Sequence, residues 1–189
     1  MSLEQKINNL ETDLHIMGTL VLESLVSAVR ALEDKDTAKA SEVMDKDDEI
    51  DDAYMKIDQD WFELMATEQP VASDLRLSTS ILQASLHLER LGDLSVYLGK
   101  TTHEIHDLPI PESLHKIVVE MGDMVIDMAS SALESLKNRD AELALSTARK
   151  DELINSLYNK MLNEVPNISG NKDLYNGLFR LITCVRTLE

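Results

Sequence analysis

A mostly apolar seam with four-three-four-three spacing runs through Val43, Asp47, Ile50, Tyr54, Ile57, Trp61 and Leu64, and Met17, Met121, Met124 and Met128 also fall at helical intervals. No stretch sustains the strict alternation of a half-buried strand. The pattern predicts helices over 4–33, 37–68, 71–105, 112–137, 141–165 and 172–189. The breaks fall where turn residues collect. Pro70 reads as a first-turn proline, "HDLPIPES" with Pro109 and Pro111 as a linker, and "NEVPNISGNKD" as the break before the last helix. An all-α fold is therefore expected.

The chain also resembles itself. Residues 17–57 align with 121–161 without a gap, with identities that include Met17/Met121, Gly18/Gly122, Ala28/Ala132, Leu32/Leu136, Asp36/Asp140, Ala40/Ala144, Lys46/Lys150, Asp47/Asp151 and Ile50/Ile154. Two tandem three-helix bundles follow, over 1–107 and 108–189. Further on, "HLE" at 87–89 comes to lie over "TLE" at 187–189, so the second bundle is expected to be truncated at its last helix.

Within this pattern some acids stand in apolar company. On a helical wheel Leu75, Leu82, Leu86, Asp93 and Val96 all lie within roughly 60° of Glu89, while Arg76, Gln83, His87 and Arg90 mark the polar face. Small Ser85 and Gly92 flank Glu89 and read as room left beside a buried acid. In the preceding helix Asp47 occupies a core position of the apolar seam and Asp51 lies one turn on. Asp45 and Asp52 project towards water, and Asp48 lies to the side. Four carboxylates aimed into one interhelical space require a positive counterpart, because burying even one unpaired charge costs several kcal/mol. Protons, arginines or a hard cation with oxygen ligands would each serve.

Charge and composition narrow the partners. A formal net charge of −17 disfavours nucleic acid and anionic membranes and favours basic proteins and cations. The single cysteine, Cys184, forms no internal disulfide and reads as a buried small residue. The expectation is a cytoplasmic protein, with no apolar run suited to membrane insertion and no signal-peptide layout at the start. No glycine-rich loop or concentrated basic pocket supports direct phosphate binding.

The stretch "QPVASDLRLSTSILQASLHLERLGD", with "MGTLVLESLVSAVRAL" and "DKDDEIDDAYMKI", resembles the PhoU family of phosphate-transport regulatory proteins, and the resemblance extends over nearly the whole chain. It implies two three-helix bundles, a homodimer, and a cytoplasmic regulator that represses phosphate-starvation signalling. The partners it implies are subunits of a phosphate ABC transporter and a sensor histidine kinase. It also implies metal held by E/D-x-x-x-D motifs, as a multinuclear iron or zinc site or as magnesium or manganese. The matching positions are Asp47, Asp51, Glu89 and Asp93 in the first repeat. The second repeat departs from the pattern: Asp151 matches, Asn155 stands where an acid is expected, and Glu189 is the next ligand position, without its partner four residues on.

Two rival readings differ in class. A metal-free helical interaction module has the same sequence pattern without the cation. A ferritin-like di-metal oxidase needs Glu-x-x-His on two helices, and only Glu112 with His115 fits that spacing. Directly after Pro111, Glu112 is better explained by the dipole of a first helical turn, so a non-enzymatic protein is expected. His103 and His106 read as exposed helix-end residues.

Overall fold

The structure is a computed structural model that describes residues 1–165 and 172–187, with backbone alone for 184–187. The expectations for the side chains of Cys184 and Glu189 therefore lie outside the described residues. The described residues form helices α1 (Leu3–Asp34), α2 (Thr37–Asp45), α3 (Asp47–Glu68), α4 (Ala72–Ile105), α5 (Glu112–Asn138), α6 (Ala141–Ala148), α7 (Asp151–Glu164) and α8 (Lys172–Thr187), and no strand. The first bundle is α1, α2 with α3, and α4; the second is α5, α6 with α7, and α8.

Two of the expected helices are each broken in two, at corresponding places. Lys46 separates α2 from α3 with its backbone at φ −94°, ψ 0°, and Arg149 and Lys150 separate α6 from α7. Each break is followed by acids in a new first turn, Asp47, Asp48 and Glu49 in α3 and Asp151 and Glu152 in α7, where the helix dipole favours negative charge. Apolar spacing runs on through such a break, so periodicity alone reads each pair as one helix. The corners before α2 and α6 repeat as well. Lys35 and Arg139 end α1 and α5 in the left-handed region, and Asp36 and Asp140 then cap the next helix with their carboxylates. Pro70 lies in the connection and not in a first turn, because extended Val71 is the cap of α4.

The bundles are joined through their first helices. A Cβ on Gly18 of α1 would stand 2.8 Å from Leu133 of α5, and a Cβ on Gly122 of α5 would stand 2.8 Å from Val29 of α1. Gly18 aligns with Gly122 and Val29 with Leu133, so the interface is made twice by an internal two-fold relation. One core gathers Leu25, Val29 and Leu32 of α1 with Leu98 and Ile105 of α4, Leu114 and Met121 of α5 and Leu174 and Leu178 of α8; the other gathers Leu10, Leu14 and Met17 with Ile57, Leu64 and Ile81. By length and composition α1 passes as a membrane-crossing helix, contrary to the expectation of no such run. Its apolar residues Leu10, Leu14, Met17, Val21 and Leu25 are, however, at 1% exposure or less inside the bundle.

The buried face of α4 is not the one centred on Glu89. It is a heptad seam of small and medium residues, with Ser78, Ser85, Gly92 and Gly99 at one position and Ile81, Leu88, Ser95 and Thr102 at the other, all buried. The large leucines Leu75 and Leu86 are exposed. Small side chains let neighbouring helices approach closely. A Cβ on Gly92 would meet Ile50 of α3 at 3.0 Å, and one on Gly99 would meet the Ala40 carbonyl oxygen of α2 at 3.0 Å. The seam's hydroxyls donate within the helix, Ser85 to Leu82 O at 2.8 Å and Thr102 to Leu98 O at 2.9 Å, so their burial strands no donor.

Candidate functional site

Asp47 opens α3 directly after the Lys46 break, and Asp51 follows one turn later. Glu89 and Asp93 sit one turn apart on the flank of α4 that faces them across the α3–α4 crevice. Asp47 and Glu89 are half-buried; Asp51 and Asp93 are exposed. The acids thus line a rim and not a closed core, because the face they share on α4 carries the outward leucines while the small-residue seam lies inside. The space beside Gly92 belongs to Ile50.

The electrostatics match four like charges around one crevice. Burial pushes the Asp47 carboxyl above its ordinary pKa, with Asp51, Asp93 and Asp48 adding repulsion and Lys100 opposing. Burial also raises Glu89, with Asp93, Asp51 and Asp47 adding to the rise and Arg90 opposing. Each carboxylate therefore costs more to ionise than it would in water. Among the described residues no three His, Cys, Asp or Glu side chains converge closely enough to hold one metal ion. The donor set nonetheless suits a hard cation in its chemistry, with carboxylate oxygens on two helices, no soft donor and few opposing charges.

The second repeat solves the same problem differently. Asp151 opens α7 as Asp47 opens α3, but Asn155 donates from Nδ2 to Asp151 Oδ2 at 3.0 Å. An amide in place of the second acid converts a repelling pair into a hydrogen-bonded one. Glu112 and His115 do not act together either. His115 Nε2 lies 2.9 Å from the Leu32 carbonyl oxygen, tying α5 to the end of α1, and Glu112 pairs with Lys116, which lowers the Glu112 pKa. His103 and His106 are exposed, with His103 Nε2 3.0 Å from Ser41 Oγ.

A family model described as the PhoU domain matches residues 14–102 and 118–189, one stretch in each bundle. The chain is 31% identical to a phosphate-specific transport system accessory protein PhoU homolog from Clostridium acetobutylicum, over 98% of this chain and 85% of that protein. It is 30% identical to the homolog of the same name from Pseudomonas aeruginosa, over 97% of this chain and 76% of that protein. The crystal structure of PhoU from Pseudomonas aeruginosa superposes with a TM-score of 0.92 at 29% identity, covering 99% of this chain and 90% of that one. That of the phosphate transport system regulatory protein PhoU from Streptococcus pneumoniae gives 0.81 at 25% identity, over 99% and 93%. Two matched domains, these identities across almost the whole chain and the shared fold place this protein in the PhoU family.

Proposed function

We propose that this protein is a cytoplasmic accessory regulator of a phosphate-specific transport system, an acidic helical adaptor between transporter subunits and a sensor histidine kinase, with a metal at Asp47, Asp51, Glu89 and Asp93. The observation that carries the metal is the placement of four acids on facing flanks of α3 and α4, with burial and mutual repulsion raising Asp47 and Glu89. When bound, a cation would neutralise those charges and cross-link the two helices. The chain's own part is to hold the four carboxylates on two packed helices. Dimerisation belongs to the same reading, through the exposed Met55 and Leu86, each about one helical turn from Asp51 and Glu89, and sedimentation of Leu86→Ser against wild type tests it. A metal-free interaction module is the second reading, favoured by the lack of a converged ligand shell among the described residues.

Elemental analysis of protein purified without chelator separates the two. Under the first reading metal is present and falls several-fold in Asp47→Asn and Glu89→Gln but not in Asp52→Asn. Metal-free protein of full stability favours the second. The repeats should also differ. In crystals soaked with limiting metal, anomalous diffraction should give its first peak between α3 and α4, because Asp151 and Asn155 offer one charge fewer than Asp47 and Asp51. A sole peak at Asp151 would show that the working site is the other one.

A further inference from the structure

The internal repeat places a lysine at each helix break, Lys46 and Lys150, and uses the two differently. Lys150 reaches across to α5 and pairs with Asp127 at 2.5 Å. Lys46 is exposed and forms no ion pair among the described residues, although Glu23 of α1 stands at the position that corresponds to Asp127. Between Lys46 and Glu23 lies a groove of about 480 Å³, bounded by α1, α2 and the start of α3. Leu20, Val43 and Ile50 make its floor, and exposed Glu23, Glu42 and Glu49 its rim. The floor is firmly packed. Val43 and Ile50 are each 2% exposed, and Ile50 fills on its far side the seat beside Gly92. None of the three glutamate side chains has an ion-pair or hydrogen-bond partner among the described residues. The second half has Ser146 in place of Glu42 and Leu153 in place of Glu49, so the acid rim belongs to this groove and not to the repeat.

We propose that this groove docks a basic segment of a partner protein, seated by an arginine or lysine side chain whose stem lies on the apolar floor and whose charge meets the glutamates. A long cationic side chain is apolar along its stem and charged at its tip, the order that the groove presents from floor to rim. Three carboxylates against one lysine leave two negative charges unmatched. Charged contacts at a rim act on partner choice and encounter rate more than on affinity. Other occupants fit less well. An apolar floor does not suit a hard metal ion, which takes oxygen ligands on every side. Phosphate groups and anionic lipid are repelled, and a second copy brings another charge of −17. The site is separate from the carboxylate crevice. It goes beyond the adaptor reading, which gives a basic partner no surface on this chain, and it holds equally for a basic protein outside phosphate transport.

The test titrates fluorescein-labelled peptides of arginine and leucine with the whole chain by anisotropy, in about 0.15 M salt, where a Debye length of about 8 Å screens most of the pull of distant carboxylates. Saturable one-to-one binding is expected, lost when citrulline, which keeps the shape without the charge, replaces arginine. Glu42→Gln combined with Glu49→Gln should weaken binding roughly tenfold. Ser24→Leu, which fills the groove at unchanged charge, should weaken it as much. Lys46→Gln should tighten binding several-fold, whereas Lys150→Gln, the same change at the repeat-related break, should not. Glu142→Gln combined with Glu152→Gln, at exposed acids of the second bundle, removes as much charge and should leave the affinity as it is. Equal loss from the two double variants would show attraction by net charge alone and overturn the proposal. Absence of saturable binding, or equal binding of the citrulline peptide, overturns it as well.

Discussion

Asp47 and Glu89 carry carboxyls that the fold would rather keep protonated. In the unfolded chain each returns to its ordinary, lower pKa, so the folded state holds the proton more tightly. Stability linked to these groups is therefore full below the ordinary carboxylate pKa and is lost as pH rises through the raised folded value. In chelator-treated protein at neutral pH, Asp47→Asn and Glu89→Gln should raise the melting temperature by about 2–4 °C for each kcal/mol of relieved repulsion. That gain should vanish when the melts are repeated at a pH below the ordinary carboxylate range. Asp52→Asn, on the wet side of α3, should do neither. If the metal reading holds, the same variants lose stability relative to metal-loaded wild type, so the sign reverses with chelator. Spacing in the sequence places these four acids on facing flanks of two helices, and there their charges act on one another. It misplaces their depth, because a wheel that weighs leucines more than serines and glycines puts the centre of burial on the wrong side of α4.

At the level of elements, the glycines determine how closely the helices pass. Gly122→Ala brings a Cβ to 2.8 Å from Val29, a fully buried β-branched residue with one favoured rotamer in a helix. Overpacking costs about 1–3 kcal/mol, and alanine returns about 1 kcal/mol of helix propensity. A net loss of up to about 2 kcal/mol in urea unfolding is expected on those figures. Adding Val29→Ala should cost less in the Gly122→Ala background than in wild type, since the clash is then gone. Gly18→Ala should be milder, because the atoms that it meets are the ends of half-buried Leu133. The small-residue heptad of α4 was legible in the sequence at Ser78, Ser85, Gly92 and Gly99; it goes unseen by a search for large apolar side chains. The breaks at Lys46 and Lys150 are harder to read, since their lysines have no turn chemistry and the apolar seam runs straight through.

Over the whole molecule, the repeat made the architecture readable, whereas the joining of the halves through α1 and α5 could not be read from it. A repeat states what is copied and not where the copies touch. The net charge of −17 acts at the same scale. Binding to a basic surface on a transporter subunit or kinase should weaken at least several-fold when salt is raised from 50 to 200 mM, read by titration calorimetry at ~50 and ~200 mM, as the Debye length contracts. Equal affinity at both salts would instead indicate an apolar contact, for which exposed Met55 and Leu86, about one turn from Asp51 and Glu89, are placed. The paired glycine seats also affect how the protein is made. Gly18 waits for Leu133, which leaves the ribosome more than a hundred residues later, on the order of ten seconds at ~5–20 residues per second. Through that interval the nascent first bundle shows an uncovered apolar flank of α1, and a chaperone would have its best opportunity before α5 emerges.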